Sequence, residues 1–178
     1  MKIYHKIIEY SILLPIHLLM ALLCWVLSPI LPLFAIGRDT LPKWLSWFQT
    51  PDAPLDGDSG FAVLYPPDKW PKYLRRVMWL WRNPAYGFAW SVLAFQPTSP
   101  DFKWYGTITI DQQRNGEGFG WYFITTPQGY FQFSFRKPMW YGKQLRFRFG
   151  WKIVGLACWG NWQEKQKFVF TFNPFDGG

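Results

Sequence analysis

The chain has 178 residues, 49% hydrophobic and 22% aromatic, with 13 Trp, 17 Phe and a formal net charge of +8. Its 2 His, His5 and His17, and 2 Cys, Cys24 and Cys158, leave no histidine cluster for a metal, no His-dependent triad and no disulfide framework. The excess of Lys and Arg favours an anionic neighbour, either phospholipid headgroups or nucleic acid.

Residues 1–10 read as a short tail carrying Lys2, Lys6 and Glu9. Residues 11–36, SILLPIHLLMALLCWVLSPILPLFAI, contain no Lys, Arg, Asp or Glu. About 20 apolar residues suffice to cross the hydrocarbon core, so this run predicts a single transmembrane anchor. A cleaved signal peptide is the alternative, with Ala35 and Gly37 as a small-residue site, but signal cores run only about 7–15 apolar residues. Pro15 stands near the beginning of the run, and Pro29 and Pro32 near its end. Proline interrupts a helix interior, so the regular span is expected over 12–27, with SPILP as an irregular exit. His17, the one ionisable group at depth, reads as facing a partner helix or the headgroups rather than as a site. Lys2 and Lys6 on one side balance Arg38 and Lys43 on the other, so positive charge sets no orientation.

Residues 37–60, GRDTLPKWLSWFQTPDAPLDGDSG, follow as a juxtamembrane helix and an Asp/Pro loop. Leu41, Trp44, Leu45 and Phe48 recur at steps of three and four, with Pro42 at a first helical position. Trp44, Trp47 and Phe48 are candidates for the headgroup layer, or for packing under the following domain. The pattern LPxWLxWFQTPDxPLDGD, carried by Leu41, Pro42, Trp44, Leu45, Trp47 to Asp52 and Pro54 to Asp58, resembles a group of small membrane proteins encoded by tailed bacteriophages and prophages. A looser likeness extends over residues 82–88. The resemblance implies a viral origin and the host bacterial inner membrane as address; it implies no activity, and a host or phage protein as partner belongs to the functional expectation below.

Asp52, Asp56 and Asp58 fall within seven residues, broken by Pro54 and Gly57. Carboxylates on a tight loop suit a hard divalent cation, which would be the only cofactor here, but no complete loop motif is present. The alternative is a set of turns in which the Asp side chains bond nearby amides.

Residues 61–178 read as a β-rich domain. Before the strands, Leu74, Val77, Met78 and Trp81 share one helical face between Pro71 and Asn83, with Arg75 and Arg76 elsewhere. That face is expected to pack on the domain, leaving the arginines in solvent, or to lie on a membrane surface. Period-two alternation then marks Phe88 to Ala94, Phe102 to Ile110, Phe119 to Phe123, Phe131 to Phe135, Leu145 to Ile153 and Phe168 to Phe172. Short turn-rich connectors, QQRNGEG, PQG and MWYG, cannot supply parallel crossovers. The expected fold is therefore an N-terminal transmembrane helix plus an α+β, mainly-β domain: an antiparallel, aromatic-rich meander of five to seven strands with one or two short amphipathic helices.

The opposite strand faces carry Arg136, then Arg146, Arg148 and Lys152, then Lys165 and Lys167. Together with Arg75 and Arg76 these are the candidate anion- or lipid-binding residues, or else an ordinary solvated face that discourages edge pairing. Nucleic acid is the less favoured partner, because no single-strand or RNA-recognition signature accompanies them. No catalytic constellation emerges from the carboxylates. The leading expectation is a membrane-anchored phage accessory or interaction protein that presents a basic, aromatic β domain. The rivals are a metal-binding domain or enzyme centred on the Asp loop and a lipid- or nucleic-acid-binding tether.

Overall fold

The computed structural model describes residues 2–35, 39–111, 118–153 and 165–176. The chain forms two compact units, one of Met1–Ile12 with Ala94–Gly178 and the other of Leu13–Leu93. Helix α1 (Lys2–Leu27) contributes its first turns to one unit and the remainder to the other. It starts well ahead of residue 11, so the expected tail is its first three turns. It ends at Leu27, as the prolines require, and a short 3-10 helix Leu31–Ala35 forms the irregular exit.

In the unit of Leu13–Leu93, a 3-10 helix Lys43–Phe48 follows, then α2 (Ser59–Leu64), α3 (Lys72–Arg82) and α4 (Tyr86–Ser91). The core holds Leu45, Phe48, Leu55, Phe61, Trp79, Leu80 and Phe88, with Phe61 and Trp79 rings edge to face at 5.1 Å. Polar side chains tie the intervening loop. The Gln49 carboxamide accepts from Leu41 N–H at 2.6 Å and donates to the Ala53 carbonyl at 3.2 Å, while Trp79 Nε1 donates to Thr50 Oγ1 at 3.3 Å. Residues 88–94, read as a strand, instead begin inside α4, which ends at Ser91, and 92–94 follow it outside any strand. Ala85 takes a left-handed conformation (φ 50°) that starts α4, and Gly87 lets it approach so closely that a Cβ there would stand 2.1 Å from the Ser46 carbonyl oxygen. A two-residue period over one short aromatic run does not separate strand from helix.

The other unit contains β1 (Lys103–Gly106), a 3-10 turn Ile108–Asp111, β2 (Gly120–Thr125), β3 (Phe131–Pro138), β4 (Gln144–Trp151) and β5 (Phe168–Asp176). The five strands pair antiparallel in the order β1-β2-β3-β4-β5, a meander. The PQG turn closes β2 to β3 through Thr126 N–H to the Tyr130 carbonyl at 2.9 Å. Met139 N–H to the Lys143 carbonyl, at 2.7 Å, closes β3 to β4. The β-rich unit thus takes up at Ala94 rather than at residue 61, because α2, α3 and α4 belong with the other unit.

On one sheet face the register aligns Trp121 with Phe135 and Phe147, and Phe123 with Phe133, Phe149 and Phe170. The first turns of α1 lie against part of this face. Tyr10 stacks on Phe168 with ring centroids 4.5 Å apart, contacts Phe131 and Trp151 edge-on, and donates its hydroxyl to the Val169 carbonyl at 3.0 Å. Lys6 Nζ stands 4.0 Å above the Tyr130 ring and donates to the Tyr130 hydroxyl and to Glu9.

Candidate membrane-facing surface

Both units bury polar side chains and expose apolar ones, and this inversion begins in α1. His17, Ala21, Cys24 and Ser28, at steps of four, three and four, form the buried stripe that α1 and the residue after it turn inward. Ile12, Ile16, Leu18, Leu19, Leu22, Leu23, Trp25 and Val26 are exposed around it. Helix α1 is long and apolar enough to span a membrane, and only 22% of its most apolar 18-residue window is buried, whereas the core helix of a water-soluble domain is mostly enclosed. Its inward stripe meets α3. Trp25 Nε1 donates to the Trp81 carbonyl at 3.2 Å, Trp81 Nε1 donates to Ser28 Oγ, and Cys24 lies 3.9 Å from the Leu80 carbonyl.

Helix α3 repeats the inversion. The face expected to pack, Leu74, Val77, Met78 and Trp81, has Leu74 and Trp81 exposed and the other two half-buried. Arg75 and Arg76, expected in solvent, are buried beside Trp79 and Leu80. Their partner is the Asp loop. Arg76 Nε and Nη2 donate to the two Asp56 carboxylate oxygens at 2.7 and 3.3 Å, Arg76 Nη1 donates to the Ala35 carbonyl at 3.2 Å, and Arg75 Nη2 donates to the Asp56 carbonyl at 3.0 Å. Partial burial alone would raise the Asp56 pKa. The Arg76 hydrogen bonds and charge, helped by Lys72 at 3.5 Å, outweigh that and hold it below its ordinary value. A planar guanidinium with five N–H groups is what makes this burial affordable.

The three carboxylates of the Asp loop go to different places. Asp58 caps α2 by accepting from Phe61 N–H at 2.7 Å, Asp56 binds Arg76, and Asp52 is exposed. Among the described residues no group of three His, Cys, Asp or Glu is placed to hold a metal ion. Asp52 instead acts at a distance on Tyr86, whose pKa burial and that negative charge push up to about 12. Of the candidate interface aromatics, Trp44 and Trp47 are exposed and Phe48 is in the core. Trp44 meets the exposed Phe34 ring edge-on at 5.5 Å.

The sheet is inverted too. Arg136 and Arg148 are only 5% and 6% exposed, and Gln132, Ser134 and Gln144 on the same face are fully buried. Gln132 Nε2 donates to the Tyr122 hydroxyl at 2.7 Å, Arg136 Nη1 to Gln144 Oε1 at 3.3 Å, and Arg146 Nη1 to Asp176 Oδ2 at 3.5 Å. The expected solvated basic face is therefore interior. Lys165 alone of the named strand cations is exposed, with Lys152, Lys167 and Arg146 half-buried. Phe133, Phe135, Phe147, Phe149 and Phe170 on the opposite face are half-buried and Phe172 is exposed.

An open cleft of about 470 Å³ lies where the β2–β3 turn meets the approach to β1, lined by Asp101, Phe102, Lys103, Thr125, Thr126 and Pro127. Asp101 accepts from Ser99 Oγ at 2.6 Å, and Lys103, Thr125 and Thr126 supply the other polar side chains of the lining. One family model matches the chain over residues 1–178. The chain belongs to DUF7338, a family of unknown function. No curated protein and no solved structure matches it. The shared features of such a family are then to be sought in what the fold needs: the loop residues Gln49, Thr50, Asp56 and Asp58 each hold a backbone or guanidinium group in place. Sequence reading missed Tyr10 and Lys6, whose aromatic partners lie more than a hundred residues away and leave no local signal.

Proposed function

We propose that this protein is a membrane-anchored accessory or interaction protein of a bacteriophage, seated in the host inner membrane and presenting its aromatic β unit to a host or viral protein. The observation that carries the membrane part is the inversion in α1 and α3: His17, Cys24, Ser28, Arg75 and Arg76 inside, Leu19, Leu22, Trp25, Leu74 and Trp81 outside. In water that arrangement forfeits the hydrophobic contribution of about 1.5–3 kcal/mol for each large apolar side chain left exposed. In a bilayer the same side chains meet lipid, and the polar groups must be satisfied within the protein, as Arg76 and Ser28 are. The viral part rests on the resemblance of residues 41–58.

Fractionation of expressing cells tests the anchor. The protein should stay with membranes through high salt and alkali and come away only with detergent; release by alkali alone refutes the reading. Cross-linking and affinity recovery from infected cells tests the interaction, which requires one host or phage protein that is lost when residues 94–178 are replaced by an unrelated domain.

A further inference from the structure

The chain leaves the unit of Met1–Ile12 with Ala94–Gly178 inside α1 and returns to it at Ala94. That unit is one compact body whose sheet is open, with β1 and β5 at its ends, and an open sheet edge does not stand in hydrocarbon. It therefore lies on one side of a bilayer. Connectivity alone then requires residues 13–93 to cross an even number of times. If α1 crosses, something after it must cross back.

No element after α1 in its unit is built to do so. A crossing takes about 20 helical residues. Among the described residues α1 alone is long and apolar enough, and the helices that follow it have between 5 and 11 residues. Exposed charges interrupt the return path at Lys43, Asp52, Asp68, Lys69, Lys72 and Arg82. From Arg82 to Leu93 the chain is uncharged, but there only the 6 residues of α4 are helical. Helix α4 is moreover packed on the segment that carries Lys43, with Gly87 directly against the Ser46 and Gln49 carbonyls. Irregular backbone does not face lipid, so the return crossing has no carrier and the even number is zero.

Charged groups stand at both ends of the uncharged run. Lys6 and Glu9 precede it, and at its exit Tyr73, next to exposed Lys72, donates its hydroxyl to the Pro29 carbonyl. Between those ends α1 shows one continuous apolar side, Ile12, Ile16, Leu19, Leu23 and Val26 flanked by Leu18, Leu22 and Trp25, all exposed. At about 100° per residue this side covers roughly half the circumference. His17, Ala21, Cys24 and Ser28, on the other half, are buried. A helix with one half open, the other half against protein and water at both ends is built as an in-plane anchor. We propose that α1 lies along one leaflet with its Ile12-to-Val26 side against the acyl chains, so that the chain enters and leaves the bilayer on the same side. This rests on the membrane reading of α1. A second copy is the poorer occupant, because a partner helix covers only a narrow seam such as Ile12, Ile16, Leu19, Leu23 and Val26 and leaves Leu18, Leu22 and Trp25 in water.

The test uses the full chain, with Cys24→Ser and Cys158→Ser, expressed in a bacterial host. Single cysteines at the exposed positions His5→Cys, Lys43→Cys and Lys137→Cys are treated with a membrane-impermeant maleimide in intact spheroplasts and after lysis. The three should react alike, all in intact spheroplasts or all only after lysis. A split among them, Lys43 opposite His5 above all, overturns the proposal and leaves the membrane reading intact. In vesicles of phosphatidylethanolamine and phosphatidylglycerol, a fluorophore at Ile12→Cys, Leu19→Cys or Val26→Cys reports depth. Nitroxide near the carbonyl end of the acyl chain should quench all three more strongly than nitroxide near the methyl end. Stronger quenching of position 19 by the methyl-end nitroxide, with 12 and 26 shallow, is the pattern of a span and also overturns it. Quenching at 19 by aqueous iodide, with none by lipid, overturns the membrane reading as well. Copies joined through a disulfide at Leu19→Cys in place of lipid quenching overturn the proposal in favour of a protein interface.

Discussion

Replacing Asp56 by Asn removes one negative charge and almost no volume from the centre of the loop that receives Arg75 and Arg76. Arg76 would keep its bond to the Ala35 carbonyl and one acceptor on the new amide, but lose the bidentate ionic contact at 2.7 and 3.3 Å. Stripping a buried ion of its partner costs about 3–5 kcal/mol. The Asp56 side chain is 29% exposed and the Arg76 side chain 7%, so solvent and the retained carbonyl bond bring the expected loss to about 2–3 kcal/mol. At about 2–4 °C per kcal/mol for a chain of this size, Tm should fall by roughly 5–10 °C. Lys72→Ala is the internal comparison. Its ammonium lies 3.5 Å from the same carboxylate but is 67% exposed, and such surface pairs contribute at most about 1 kcal/mol. Thermal unfolding of the detergent-solubilised chain, followed by near-ultraviolet circular dichroism of its tryptophans, reads both. A Tm for Asp56→Asn no lower than that of Lys72→Ala refutes the reasoning. So does additivity in the double variant Asp56→Asn/Arg76→Met, because residues in one buried contact must couple.

The same contact makes stability depend on acid. The Asp56 carboxyl is held below its ordinary value of 3.8 in the folded protein, so the unfolded chain binds its proton first as pH falls. Its contribution is full above 3.8 and is lost as pH drops through the lower folded value. Melting against pH should show an acid limb there that is flatter in Asp56→Asn. Tyr10→Phe should cost only the hydroxyl bond to Val169, about 0.5–1.5 kcal/mol, whereas Tyr10→Ala empties a site lined by Phe131, Trp151 and Phe168 and should cost about 3–5 kcal/mol. Equal melting shifts for the two variants would show that the ring cluster is not what Tyr10 contributes.

The positions of α3 and of β2 to β5 were legible because each lies between strong local punctuation, Pro71 and Asn83 or the PQG and MWYG turns, and because alternation over six to nine residues is hard to mistake. Which face points inward was not legible. The sequence rule assigns apolar residues to the interior, but in α3 the side chains with somewhere specific to go are the arginines. Asp56, on a loop some twenty residues earlier, supplies the partner that makes their burial possible. Arg136 likewise donates to Gln144 between β3 and β4, and Arg146 to Asp176 between β4 and β5, pairings that no single strand announces. The Asp loop was visible as a cluster of carboxylates, yet the partners of two of them lie outside the window: a helix N–H for Asp58 and a guanidinium for Asp56.

Tyr10 bonds to Val169 across 159 residues, while the strands it covers each pair with their nearest neighbour in the chain. Each hairpin can therefore close as it leaves the ribosome, but the helix cannot settle on the sheet until β5, the last strand, has been made. During synthesis the first turns of α1 wait with the Tyr10 ring only partly enclosed, long after the rest of the helix has been made. A ribosome stalled before Phe168 leaves Tyr10 without the ring it stacks on, so the first turns of α1 gain their full set of ring contacts only once β5 is made.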